Sequence, residues 1–298
     1  VDREGVFTLR TFDDALAIKT YARDVRSVAV IGGGLLGLET ARALLSLGLD
    51  VSVIEYSLYL LPRQLDAEGA QVLQSLLEAQ GLRILTGAAT EAILGDGRAE
   101  GVRLKDGRVV DGALVLISTG IRSRVGLARE AGLEVNKGMV VSEQLQTSVE
   151  DVFAAGDAAE FEGRVYGIIP AATEQAQVAA ANMVMPGSAT YGGTIPANTL
   201  KIVGVDLTCL GEATVAGDEC VILREMDAAG GVYRRLTLRD GKIVGAILLG
   251  DVRNVRAVKQ LIASGRDVSA YGERLLDEDF DLMALAQGQE LPGGSSSG

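Results

Sequence analysis

VIGGGLLGLETARALLSLGLDVSVIE, residues 30–55, reads as a strand, a glycine-rich turn, a helix and a second strand that ends in an acid. Gly32, Gly34 and Gly37 form G-x-G-x-x-G directly behind the apolar run Val28 to Ile31. Each glycine of such a turn has its own task. The first makes the tight bend out of the strand, the second lets backbone approach a pyrophosphate, and the third lets the helix pack on the sheet. The helix then offers unpaired N–H groups to phosphate. Glu55 closes the second strand, Val51 to Ile54. It stands at about the 20-residue distance at which a carboxylate accepts both ribose hydroxyls of an adenosine. A 2′-phosphate is repelled there, and Tyr56, Ser57 and Leu58 supply no arginine to hold one, so the site favours NAD over NADP.

The composition agrees with an α/β protein. A chain of 298 residues is long for one core and is expected to form two domains or so, and a hydrophobic fraction of 48% is ample to fill them. The net charge of −12 argues against a nucleic-acid or anionic-membrane partner for the chain as a whole. No apolar run is long enough to span a membrane and no signal peptide is visible. Two cysteines in so long a chain fit a reducing compartment, the cytoplasm. Histidine is absent, which removes the Ser-His-Asp triad, the Cys-His pair and any imidazole-ligated metal. The spacing of Cys209 and Cys220 matches neither C-x-x-C nor a zinc knuckle, so no metal site is expected and the two read as ordinary buried thiols.

Beyond the second strand, a helix over Asp66 to Gln80 and a strand over Leu82 to Leu85 are followed by alternating apolar runs broken at Asp96-Gly97 and Asp106-Gly107. Asp-Gly in that setting predicts hairpins, hence a three-stranded meander set into the nucleotide domain. The sheet resumes at Ala113 to Ile117, with Ser118, Thr119 and Gly120 at its carboxyl end, where open α/β sheets bind ligands; a routine strand-ending turn is the simpler account. A further strand, Val152 to Ala155, is expected behind a polar turn at Thr147 to Glu150 and ends in Gly156-Asp157. A carboxylate there holds sugar or polyol hydroxyls or caps a helix. Pro170 then opens a helix over Ala171 to Met185. From about Tyr191 the pattern is that of a smaller α+β domain. Its strands are Leu200 to Val205 and Val221 to Glu225, its hairpin Tyr233 to Leu249 turns at Asp240-Gly241, and its helix spans Val252 to Ala263.

GGGLLGLE at 32–39, Glu55 after the second strand, STGIR at 118–122 and TSVEDVFAAGDAAE at 147–160 together resemble the pyridine nucleotide-disulfide oxidoreductase family of flavoproteins, over nearly the whole chain to about Gln287. LLPRQLDAEG at 60–69 and NTLKIVGVDLTCLGEA at 198–213 look most like its rubredoxin reductases and the flavin-binding part of NADH-dependent nitrite reductases. The resemblance implies hydride transfer from NADH to FAD and electron transfer onward to an acceptor, the cofactors performing the redox chemistry and the protein aligning them. It places Gly156 and Asp157 on the ribityl chain of FAD, Thr119 and Gly120 beside the NAD, and Glu39 near the nicotinamide–flavin stack. An acid early in a helix is favoured by the dipole alone, so Glu39 has two readings. The thiol-disulfide branch is disfavoured, because its C-terminal His–Glu pair is missing.

Family members carry two G-x-G-x-x-G fingerprints, and this chain has one. VDREGVFTLRTFDDALAIKTYA at the start resembles the bridge between the first flavin segment and the NAD domain. The expectation is therefore a fragment lacking roughly 100 upstream residues, about one domain, with weak or absent FAD binding and retained NAD binding. The expected architecture is a bridge over 1–23, a Rossmann-like NAD-binding domain with an inserted meander over 24–142, a partial FAD-binding domain over 143–190, a C-terminal α+β domain over 191–287 and a flexible tail over 288–298. Seven bases against two acids between 233 and 260 make Arg234, Arg235, Arg253 and Arg256 either a steering patch for an acidic carrier such as rubredoxin or ferredoxin, or a solvated face. In the family the C-terminal domain often makes a homodimer contact. Two other classes stay open: a flavin-independent NAD dehydrogenase and an NAD-binding module without turnover.

Overall fold

The structure, a computed structural model, describes residues 3–195, 197–202 and 205–291. It is a mixed α/β fold whose chain packs into two compact units, one of residues up to 119 together with those from 197, the other of residues 120–196. The segment 120–142 falls in the second unit.

The first unit opens with β1 (Val6–Thr8), α1 (Phe12–Tyr21), β2 (Ser27–Ile31), α2 (Leu35–Ser46), β3 (Asp50–Ile54), α3 (Ala67–Ala79) and β4 (Arg83–Leu85). The meander follows as β5 (Thr90–Leu94), β6 (Gly101–Leu104) and β7 (Val109–Asp111), and then β8 (Leu114–Ile117). The strands β1-β8-β2-β3-β4 form, in that order, a parallel sheet. Val28, Ala29 and Val30 are fully buried in its centre, which is why these strands read as unbroken apolar runs rather than alternating ones. Because β2 lies between β3 on one side and β8 on the other, the strand order reverses there and opens a crevice at the carboxyl ends. The meander is present as expected and closes the far face, Val102, Leu104 and Val110 packing with Ala29, Ile54 and Val115.

In the second unit α4 (Gly126–Glu130), β9 (Met139–Val141), β10 (Ala159–Phe161) and α5 (Ile169–Val184) follow in order, with β9 and β10 paired in parallel. The strand expected over Val152 to Ala155 does not form. Only Phe153 makes a bridge, to Gln146, and Gly156–Ala158 is a single 3-10 turn. A strand needs a neighbour for its N–H and C=O groups, and among the described residues that stretch has none beyond this bridge.

The chain then returns to the first unit with β11 (Ala197–Ile202), β12 (Val205–Gly211), β13 (Cys220–Asp227), β14 (Val232–Arg239), β15 (Lys242–Leu249), α6 (Val255–Ser264) and α7 (Leu282–Ala286). The expected strand Leu200 to Val205 is in fact two antiparallel strands, and the mostly buried β12 escaped notice because both its faces are covered, so it shows no alternation. Residues 203 and 204 between them, and 292–298 of the expected tail, lie outside the described residues. The antiparallel sheet has the order β11-β12-β15-β14-β13. Asp240 and Gly241, both at positive φ, make its two-residue turn as expected, whereas Asp96-Gly97 and Asp106-Gly107 sit in longer loops. Helix α6 lays Ala257, Val258 and Leu261 on the sheet.

The basic patch is corrected by this sheet. Arg234 and Arg235 are only 5% and 4% exposed. Arg234 pairs with Glu225 at 2.9 Å, and Arg235 pairs with Asp66 at 2.6 Å. Arg253 is held by Asp251 at 2.7 Å. Arg256 is exposed, but two of the four arginines lie inside and a third is paired, so these four do not form one exposed patch. The acids paired with Arg234 and Arg235, Glu225 and Asp66, lie outside residues 233–260, so the local charge balance does not show them.

Asp66 caps α3 through the Gly69 N–H at 3.0 Å and also accepts hydrogen bonds from the Tyr233 hydroxyl and Arg235 Nη1, each at 2.6 Å. Burial pushes its carboxyl up, but these bonds outweigh burial and hold it below the usual carboxylate value. Gly69 leaves room for the Tyr233 ring: a Cβ there would lie 2.9 Å from Cδ1. Alanine is normally favoured over glycine in a helix by about 1 kcal/mol. Here overpacking opposes it by about 1–3 kcal/mol, so Gly69→Ala is expected to lower the melting temperature, as thermal unfolding followed by circular dichroism will register.

Candidate functional site

At the carboxyl ends of β2 and β8 three pieces of backbone meet. Gly32 has φ +113°, and a Cβ on it would stand 2.2 Å from the Ser118 carbonyl oxygen. A Cβ on Gly37 would stand 2.1 Å from the Gly32 carbonyl oxygen. The Ser118 N–H donates to Ile31 O and the Gly32 N–H to Ile54 O, both at 2.8 Å, so the turn is tied to both neighbouring strands. Gly34 differs: its Cα faces open space, and it is the N-cap of α2 with no side chain capping the helix. The N–H groups of the first turn are thus left for a ligand.

Glu55 sits beside this turn. Its Oε2 accepts the Gly33 N–H and its Oε1 the Ser57 N–H, both at 2.7 Å. Two backbone donors fix the carboxylate while each oxygen keeps a lone pair for a further donor. The sequence does not mark Gly33 and Ser57 as donors, since a backbone amide carries no side-chain signal; Gly33 reaches Glu55 across the whole of α2, and Ser57 reaches back two residues. Thr119 and Gly120 follow Ser118 and are exposed, Gly120 at φ +100° with open space around it. Glu39 is exposed in the second turn of α2, and the first turn carries no acid, so the helix dipole does not account for it. The sheet edge thus brings together Gly32, Gly34, Gly37 and Glu55.

Gly156 and Asp157 lie in the second unit. Gly156 has φ +71°, its N–H donates to Gln175 Oε1 at 2.8 Å, and Asp157 stands exposed on the turn. Its backbone oxygen accepts the Ser123 hydroxyl. Helix α5 carries Pro170 in its first turn and no side-chain cap. Gln175 is 1% exposed and lies on the buried stripe of α5 with Ala171, Ala179 and Asn182. Polar residues recurring on an otherwise apolar stripe were the available signal for it. Asn182 likewise donates to Ala189 O at 2.8 Å. Nearby, the Tyr191 hydroxyl meets Thr194 Oγ1 at 2.6 Å, and burial raises that phenol above its ordinary value.

Residues 1–181 match the sequence model of the pyridine nucleotide-disulphide oxidoreductase family. The chain belongs to that family. Residues 196–266 match the rubredoxin NAD+ reductase C-terminal domain. Among related sequences, a nitrite reductase [NAD(P)H] of Bacillus subtilis is 38% identical over 90% of this chain and 33% of its own length. An NADH-rubredoxin oxidoreductase of Clostridium acetobutylicum is 28% identical over 88% of this chain and 65% of its own. A ferredoxin reductase structure from Rhodopseudomonas palustris superposes with a TM-score of 0.85 at 26% identity, covering 96% of this chain and 72% of that one. The chain spans about a third of the length of the nitrite reductase relatives it matches. Among the described residues no helix is long and apolar enough to cross a membrane, and no group of three or more ligating side chains could hold a metal.

The cysteines divide. Cys209 is buried, and burial with the nearby Asp66 charge pushes its thiol up to about 12, while Cys220 is half-buried. Only the thiolate reacts. A disulfide reagent at pH 8 should therefore modify Cys220 alone in the folded chain and both thiols after denaturation; rapid loss of two thiols from the folded chain is the contrary result.

Proposed function

We propose that this chain provides the NADH site and part of the flavin site of an FAD-dependent NADH oxidoreductase, with electrons passing on to a nitrite-reducing centre or a rubredoxin- or ferredoxin-type carrier. When bound, NADH supplies a hydride and FAD accepts it; the side chains here need only bind and orient. No nucleophile or imidazole base is required, in keeping with a chain without histidine.

The observation that carries this reading is the Glu55 carboxylate, held by two backbone N–H groups beside an uncapped helix N-terminus. The residues fit the dinucleotide. Gly34 and the first turn of α2 receive the pyrophosphate, Gly32 and Gly37 let strand, turn and helix approach closely enough to form that cradle, and Glu55 accepts the ribose hydroxyls. Thr119 and Gly120 border the nicotinamide side, and Glu39 acts there as a charge that orients rather than as an acid or base. They fit the flavin in part: Asp157, presented by the Gly156 turn, suits a polyol, and the uncapped α5 suits an electron-rich ring edge. Nitrite reductases at 38% and 34% identity, against 28% for the NADH-rubredoxin oxidoreductase, favour the nitrite-reducing acceptor over a carrier. A homodimer through the C-terminal domain, as the family resemblance implies, accompanies this reading.

Calorimetric titration of the chain as it stands tests the cofactor. NADH is expected to bind at least about tenfold tighter than NADPH, the size of one charged hydrogen bond. Glu55→Ala should weaken NADH and narrow that ratio. Equal affinities in the unaltered chain, or binding of neither, contradict the proposal.

A further inference from the structure

The ten residues after Glu55 form a loop with both ends fastened. At its start Ser57 holds Glu55. Leu60, Leu61 and Leu65 are then at most 1% exposed. A Cβ on Gly33 would lie 2.8 Å from Leu60 Cδ2, so Leu60 packs directly under the glycine turn whose N–H orients Glu55. Leu61 takes φ +52°, unusual for a bulky residue, and its carbonyl accepts the N–H groups of Gln64 and Leu65. Such a conformation persists only where the surroundings enforce it. At the far end stands Asp66, bonded by Tyr233 and Arg235 of β14, both nearly or fully buried. Arg235 is itself anchored to Val215 O at 2.7 Å. Tyr233 joins the same core cluster as Leu60, Leu61 and Leu65.

We infer that Tyr233 and Arg235 are positioning residues for the nucleotide site: through Asp66 and the packed leucines they hold the loop that sets the Glu55 carboxylate and the glycine turn. The C-terminal sheet, lying outside the β-α-β unit, thereby tunes adenosine affinity. This rests on the NAD reading of the glycine turn above. The physical reason is that a preorganised site requires its supporting shell to be locked, and a small relaxation of that shell loosens the site. Two backbone donors hold Glu55, and both move with this loop or pack against it.

Tyr233→Phe removes one hydroxyl and leaves the ring on Gly69, so the fold is retained. Affinities for NADH and for AMP, which samples the adenosine half alone, are measured by calorimetry well below the melting temperature. Both dissociation constants are expected to rise about fivefold, in the range of coupling carried by a packed network, and the preference for NADH over NADPH should narrow. Asp66→Asn, which keeps a helix-capping oxygen, should act in the same direction. Leu261→Ala, a cavity in the α6 layer that touches none of these residues, is the control for general loosening. A Tyr233→Phe chain with a lowered melting temperature but unchanged affinities overturns the inference. So does a Leu261→Ala chain that weakens both ligands as much. If the unaltered chain binds neither NADH nor AMP, the NAD reading falls and takes this inference with it.

Discussion

At Gly32 the end of β2, the start of α2 and the residue that closes β8 approach so nearly that no side chain fits between them. Only glycine accepts both this proximity and a φ of +113°. From that contact follow the direction in which α2 leaves the sheet, the placing of its uncapped N-terminus over the crevice, and the distance from the turn to Glu55. The parallel sheet could form with a looser turn, but the crevice at its strand-order reversal would then be filled with side chains and closed to a dinucleotide.

The second feature that organises the first unit is charge taken inside. Arg234 and Arg235, adjacent on β14, point to opposite faces of the antiparallel sheet and are both buried. Removing Asp66 would leave the nearly buried Arg235 guanidinium without its carboxylate, so Arg235 and Asp66 constrain each other. Asp66 is at once the cap of α3 and the anchor of β14. The layers of the parallel sheet and the C-terminal sheet therefore share one core, Leu38, Leu73 and Leu77 lying in the same cluster as Leu207, Ile247 and Leu249.

What could be read beforehand was local. The β-α-β unit, its glycines, the acid at the second strand end, the meander and the Asp240-Gly241 turn all depend on residues a few positions apart, where periodicity and turn chemistry carry the information. Long-range partners were not legible. Arg235 looked like a surface charge because Asp66 is far away in the chain, and Val152 to Ala155 looked like a strand because apolar composition does not say whether a neighbouring strand exists. Gly156 was found by its motif, but the Gln175 amide that holds it was not, since a glutamine in an alanine-rich helix is usually solvated. Family membership, resting on motifs spread along the chain, was legible for the opposite reason: it needs no contact to be known.

On the proposed reading the glycine turn, the first turn of α2 and Glu55 form one dinucleotide cradle. Amide chemical shifts of the isotope-labelled chain during titration with NADH test it most directly. Saturable shifts should appear at Gly33, Gly34, Leu35, Leu36 and Ser57 with a single dissociation constant. Saturable binding that leaves those five amides unmoved and shifts others would contradict it.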